Sequence, residues 1–331
     1  MNKKIIFIIA VAVILVGTSI WGLINYQNQR QSVVTSNKVM IVTTLFPLYD
    51  MAKNIGGDKV EVLQLLPPGV EPHSYEPKPS DIVKINEADI FVYTGKYMET
   101  WAEDIIKGVI NKDLKIVDSS DGVQLAVGAK EEEHEEEHGE EHGEEHGEEH
   151  AHNHNGVDPH IWLDFDKAQI MADNIAQALI VKDASNAEFY QNNVNEYKNK
   201  LMAMDNNYRE TLDDCQSRVI IYGGHYAFGY LSNRYGLQYL AAQGVSPDAE
   251  PTASDLAALV DQIKKNSIKY IFFEELASPK IAETIANETS AHLLLLNAAH
   301  NLTKDQFDSG MSFVDILNDN LNNLKIGLTC R

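Results

Sequence analysis

The sequence predicts an α/β protein made of two open parallel-sheet lobes joined by one long rigid helix. Three observations carry this. Short β-branched runs alternate with helix-like segments in two separate stretches of the chain, the pattern of parallel strands connected by crossover helices. A single amphipathic segment of helical period, free of Gly and Pro, separates the two stretches. The 331 residues, 44% of them hydrophobic, are enough for two cores.

The chain begins Met1-Asn2-Lys3-Lys4 and continues with a nearly unbroken apolar stretch from Ile5 to Ile24. Two lysines before roughly 20 apolar residues read as a signal segment or an uncleaved anchor, residues 1–25, with the chain beyond it outside the cytoplasm. Residues 26–37 are polar and read as a tether.

The first lobe is expected over residues 38–165. Val39–Thr43 is a β-branched run without helical period, hence a buried strand. Val60–Leu65 is the second strand, and a short helix capped at Ser80-Asp81 runs through Glu87. Ile90–Tyr93, a helix Glu99–Ile110 and Lys115–Val117 complete the lobe. Residues 130–156 hold Glu, His and Gly with almost no apolar side chain, so they cannot offset their ordering entropy and read as a disordered loop.

A linking helical region, 166–214, follows. Within it Tyr190, Val194, Tyr197, Leu201, Met204, Tyr208 and Leu212 recur at steps of three and four. They predict one helix over Asn186–Asp213, roughly 40 Å long, acting as a strut. The second lobe, 215–331, reads as strand Arg218–Tyr222, helix Phe228–Tyr235, strand Leu237–Ala242, helix Ala253–Asn266, strand Tyr270–Phe273, helix Pro279–Glu288, strand Leu293–Leu296 and helix Phe313–Leu324. Open α/β lobes bind ligands beyond the carboxyl ends of their strands, so the site is expected in the cleft between the lobes.

Formal net charge is −22, but Glu131–Glu149 alone contains twelve glutamates, so about half the excess is local. No basic cluster exists to meet phosphate, which excludes a nucleic-acid surface. The two cysteines, Cys215 and Cys330, could pair in an oxidising compartment or remain free thiols. Asn287-Glu288-Thr289 and Asn301-Leu302-Thr303 match the glycosylation pattern.

Seven of the twelve histidines, His134, His138, His142, His146, His150, His152 and His154, lie in the acidic loop. Three of the others stand at strand exits or at the crossover between lobes. His73 lies in a Pro-stiffened turn after the second strand, His160 opens the linking region, and His225 follows Gly223-Gly224. Glu274 directly follows a strand in the second lobe; Glu275 is the alternative, because only one of two neighbours can face the cleft. Three imidazoles and a carboxylate suit tetrahedral Zn²⁺ better than Mn²⁺. A lone histidine at a strand end is more often structural, so on residue pattern alone both readings stay open. His292 and His300 receive no role.

The motifs Glu71-Pro72-His73-Ser74-Tyr75-Glu76-Pro77, Asp158-Pro159-His160-Ile161-Trp162-Leu163-Asp164, His225 through Leu231, Ser246 through Pro251 and Phe272-Phe273-Glu274-Glu275 occur in order. With them the chain resembles the zinc-binding solute-binding proteins of bacterial ABC transporters, the cluster A-I (cluster 9) family, from about Val39 to Leu324. The resemblance implies a metal site of His73, His160, His225 and Glu274, extracytoplasmic zinc capture by a monomer, and delivery to an ABC permease in the cytoplasmic membrane. It also implies a binding protein instead of an enzyme. Manganese-selective relatives carry a carboxylate where His225 stands, which favours zinc here. Many relatives are lipoproteins, whereas this apolar stretch has no following cysteine to modify. The loop histidines could bind further zinc weakly or be part of a solvated linker. Alternatives are a manganese-binding protein or adhesin on the same fold and, further off, a zinc hydrolase.

Overall fold

The computed structural model describes residues 38–126, 156–245, 247 and 250–331. The expected N-terminal segment 1–25, the tether and nearly all of the acidic loop with its seven histidines lie outside the described residues. No helix among the described residues is long and apolar enough to cross a membrane.

The first lobe holds a four-stranded parallel sheet in the order β2-β1-β3-β4, with β1 Val39–Thr43, β2 Val60–Gln64, β3 Ile90–Tyr93 and β4 Lys115–Asp118. The second repeats the order as β6-β5-β7-β8, with β5 Val219–Tyr222, β6 Gln238–Ala241, β7 Tyr270–Phe273 and β8 His292–Leu295. Parallel sheets are covered on both faces, which is why the central strands read as continuous apolar runs. Ile41, Ile90 and Val92 face the main core, while Val42, Phe91 and Tyr93 face a second cluster on the outer side of the sheet.

Ten helices surround the sheets among the described residues: α1 Phe46–Gly56, α2 Pro79–Glu87, α3 Ala102–Gly108, α4 Phe165–Lys182, α5 Ala187–Asp213, α6 Gly229–Arg234, α7 Ala253–Asn266, α8 Lys280–Thr289, α9 Lys304–Asp308 and α10 Phe313–Gly327. Helix α1 was not expected. Its apolar residues Leu48, Met51, Ala52 and Ile55 have helical spacing and Pro47 sits in its first turn. Helix α2 starts earlier than expected: its cap is Lys78, and Asp81 serves as the third helical residue, accepting from the Lys78 amide at 3.0 Å. Helix α3 is shorter than the expected Glu99–Ile110 because Glu99 is used elsewhere. Its buried carboxylate accepts from the Thr94 and Gly95 amides and from the Thr44 hydroxyl, clamping the exits of β1 and β3.

The linking region is two helices, α4 and α5, broken at Asp183. Asp164 caps α4 by accepting from the amides of Asp166 and Lys167. All seven residues of the expected stripe on α5 are buried. Along its length α5 grips both lobes. Asn193 Nδ2 donates to Ile55 O at 2.9 Å and Tyr197 Oη to Asp50 Oδ2 at 3.1 Å in the first lobe. Tyr208 Oη donates to Leu317 O at 2.7 Å, and Asp205 pairs with Arg234, in the second.

Cys215 and Cys330 form a disulfide that ties the C-terminal end to the start of the second lobe. Asn301, the first residue of one glycosylation-type triplet, is fully buried and is no acceptor.

Candidate metal centre

Each of the three selected histidines is delivered by a strand exit or a lobe crossover. His73 lies on the loop leaving β2, and its amide donates to Glu71 Oε1 at 3.3 Å. His160 precedes α4; Asp158 Oδ1 accepts from both its backbone amide, at 3.0 Å, and its ring Nδ1, at 2.8 Å. His225 leaves β5, and its Nδ1 donates to Glu274 Oε2 at 2.9 Å. Glycine makes both carboxylate contacts possible. A Cβ on Gly224 would sit 2.8 Å from Glu274 Oε2, and one on Gly229 would sit 2.6 Å from Asp158 Oδ2.

The three rings meet in a buried cluster. His160 Nε2 lies 3.3 Å from His73 Nε2 and 3.1 Å from His225 Nε2. A tetrahedral ion with Zn–N bonds of about 2.0–2.1 Å has ligand–ligand edges of about 3.3 Å. The tautomers fit the same picture. A carboxylate on Nδ1 requires the proton there, so in neutral His160 and His225 both Nε2 atoms present bare lone pairs to each other. A cation between them relieves that repulsion.

Residues 41–327 match the family model described as the zinc-uptake complex component A, periplasmic, ZnuA. The chain belongs to the ZnuA family. It is 41% identical over 292 residues to a Bacillus subtilis protein described as the high-affinity zinc uptake system protein ZnuA, covering 88% of each. It is 35% identical over 326 residues to the zinc-binding protein AdcA of Streptococcus pyogenes serotype M3, spanning 98% of this chain and 62% of that longer one. Among solved structures, the Zn(II)-bound ZnuA-like domain of Streptococcus pneumoniae AdcA superposes with a TM-score of 0.71 at 32% identity, covering 88% of this chain and 99% of that one.

In this ZnuA-family chain the expected carboxylate, Glu274, meets the cluster at His225 and, with His225 and His300, forms a group whose donor atoms could hold a metal ion. Glu274, not Glu275, reaches the imidazoles, yet it lies on Nδ1 of His225, the ring nitrogen turned away from His160. It therefore stands behind His225 instead of beside the three Nε2 atoms. Burial alone would raise its pKa, but the charge and hydrogen bond of His225 hold it below the usual range. Burial, reinforced by the charge of Glu274, pushes Glu275 well above that range. Burial likewise raises Asp158 to about 7, against the pull of the His160 amide and of His225.

His300 is the residue that sequence reasoning missed. It leaves β8 and is fully buried, and neither ring nitrogen has a hydrogen-bond partner. Its Nε2 lies 3.7 Å from Glu71 Oε2 and 4.0 Å from Glu274 Oε1. Burial lowers its pKa, so the ring is neutral and can donate a lone pair. Two donor sets, each with atoms within 4.8 Å of one another, thus share His225: one with His73 and His160, the other with Glu274 and His300. The signal was available, since His300 follows a second-lobe strand exit as His225 does, but its place before a helix cap drew the reading elsewhere.

Proposed function

We propose that the protein captures zinc outside the cytoplasmic membrane and delivers it to an ABC-type permease. Zinc is the cargo. The observation that carries this reading is the buried convergence of three imidazoles, with His160 Nε2 3.3 Å from His73 Nε2 and 3.1 Å from His225 Nε2, and carboxylates fixing two of the rings from behind. His73, His160 and His225 are ligands, and His300, whose donor atom lies within 4.8 Å of that of His225, is the fourth. Glu274 and Asp158 orient their imidazoles and raise their basicity, as outer partners of metal-bound histidines do. A nitrogen-rich set favours zinc over manganese. Four protein donors leave no open position for an activated water, so the arrangement suits carriage instead of hydrolysis.

The loop histidines from His134 to His154 act as weak collectors. The two ends of that insertion meet in the fold: the Asp158 amide donates to Ala126 O at 3.0 Å, and Tyr230 Oη contacts both strands of the junction. The described residues that flank the insertion are therefore joined at Asp158, two residues before His160. Deleting residues 131–154 is expected to remove weak zinc sites and keep one tight site, as read by titration calorimetry.

The deciding experiment is a competition titration of zinc against a chromophoric chelator. His73→Ala, His160→Ala and His225→Ala should each lose orders of magnitude in affinity. X-ray absorption of the zinc-loaded protein should report four light donors, with the imidazole signal reduced in His300→Ala. Wild-type affinity in His225→Ala would remove the site.

A further inference from the structure

The segment between β8 and α9, residues 296–303, belongs by sequence to the second lobe but is held by the first. Trp162 Nε1 donates to Ala298 O at 2.8 Å, the Phe46 amide to His300 O at 3.2 Å, and the Gly69 amide to Leu302 O at 2.7 Å. Asn301 makes the densest connection. Its Nδ2 donates to Pro67 O and to Val70 O, both at 2.8 Å. Its Oδ1 accepts from Gln64 Nε2 at 3.0 Å and from its own neighbour's amide, Leu302 N, at 2.9 Å. A primary amide has two donors and an acceptor with two lone pairs, so every bonding position of this fully buried side chain is used.

The two loops joined in this way carry a histidine each. Val70 stands three residues before His73, and Asn301 directly follows His300. Their rings lie 6.4 Å apart between centroids, one from each lobe. On the other side of the same segment Asn320 grips Asn297 through two bonds of 2.8 and 2.7 Å, and Ala299 adopts a φ of +59°, which costs an alanine on the order of 1 kcal/mol or more. The backbone at His300 is thus held in one conformation from both lobes, and Asn301 sets where it stands relative to the His73 loop.

We propose that Asn301 is a positioning residue for zinc capture: its amide fixes the loop of His73 to the loop of His300 so that the ligand set is assembled across the lobes before the ion arrives. This rests on the zinc reading above, with His73 and His300 as donors. Removing the amide takes from Val70 O its bond to Asn301, leaves Pro67 O with the Val70 amide at 3.2 Å alone, and frees the two loops to separate. Aspartate would set a charge against both carbonyls.

The test uses the full chain and Zn²⁺ alone. Asn301→Ala should weaken zinc binding by about 10–100-fold, the range for outer partners of metal ligands, and should shrink the rise in Tm that zinc produces. Tyr208→Phe, which removes a strut hydrogen bond to Leu317, serves as the structural control: it should lower the Tm of the zinc-free and zinc-loaded forms alike and leave affinity unchanged. Gln64→Ala, which removes one of the four bonds, should move affinity in the same direction by less, and it keeps the idea testable if Asn301→Ala does not fold. Affinity within twofold of wild type in Asn301→Ala, or in Gln64→Ala should the former not fold, overturns the proposal. So does an equal fall in Tm with and without zinc. His225→Ala in the same titration keeps the two ideas apart: loss of tight binding there, with Asn301→Ala unchanged, would leave the zinc site standing and remove only the positioning role.

Discussion

Glu274 and His225 are joined by a 2.9 Å hydrogen bond between buried atoms, on the side of the imidazole opposite to the nitrogen that faces His160. The carboxylate selects the tautomer and fixes the ring plane. Glu274→Gln retains an acceptor but not the charge, so zinc affinity should fall by about 10–100-fold, well short of the loss in His225→Ala. Chelator competition on the two variants checks the order; equal losses would make Glu274 a ligand in its own right.

Zinc binding should weaken as the solution is acidified. Burial alone would lower the pKa of His225, but the charge and hydrogen bond of Glu274, backed by Glu71 and Asp158, hold it above the ordinary value of 6.5. A protonated imidazole cannot coordinate, so the proton begins to compete with zinc above pH 6.5. Affinity is fully present on the alkaline side and declines by about tenfold per pH unit for each proton taken up. Competition titrations from about pH 8 to about pH 5.5 measure the slope, and a flat profile would contradict the assignment of imidazole ligands.

Stability of the zinc-free protein carries an opposite signature at two buried acids. Burial raises Glu99 to about 7 and Asp50 to about 6, despite their hydrogen bonds from the Thr44 hydroxyl and the Tyr197 hydroxyl. The folded state binds these protons more tightly than the unfolded chain does. Their contribution is therefore present below the ordinary carboxylate range and is lost as pH rises toward about 7, on the order of a few kcal/mol per group at most. Asp205 behaves in the reverse sense. Although burial opposes it, bonds from Arg234 and Tyr235 lower it to about 2, so its contribution is lost only in strong acid. Urea melts of Glu99→Gln should show a shallower decline between about pH 4.5 and pH 7 than wild type; identical slopes would refute the account.

Reducing the disulfide should destabilise the fold without touching metal affinity. Cys215 and Cys330 are 115 residues apart, and closing a loop of that length restricts the unfolded chain by up to about 5 kcal/mol in the chain-entropy treatment. For a domain of this size that corresponds to a fall in Tm of roughly 5–15 °C. Backbone bonds from Gln216 to Thr329 and from Ser217 to Leu328 keep the two ends together in part. Melting Cys330→Ser beside wild type, with a zinc titration of each, reads both quantities.

The sequence was most legible where one physical demand acts alone. Val39–Thr43, Ile90–Tyr93 and Tyr270–Phe273 are apolar because both sheet faces are covered, and the strands match those limits to the residue. The stripe from Tyr190 to Leu212 needs only a helical period. Helix α1 escaped because only Thr44 and Leu45 separate it from β1, with no Gly, Asn or Asp to mark a turn. In the site, Pro and Gly around His73, His160 and His225 marked strand exits. Glu274 could be placed on the cleft side by alternation, but no one-dimensional pattern says which imidazole nitrogen a carboxylate meets. His300 depends on a segment whose shape is dictated from the other lobe, by Gln64, Gly69 and Trp162, and that is invisible in its own neighbours.

Helix α5 is anchored to α1 at one end and to α10 at the other, so a single stiff element belongs to both lobes at once. A binding protein of that build hides little fresh apolar surface when it takes up its cargo. The heat-capacity change on loading should then be near zero, where a protein that folds shut around its ligand would show a large negative one. Affinity would vary little in its enthalpic share with temperature, and a loaded molecule would differ from an unloaded one chiefly in how firmly it is held, in stiffness instead of shape.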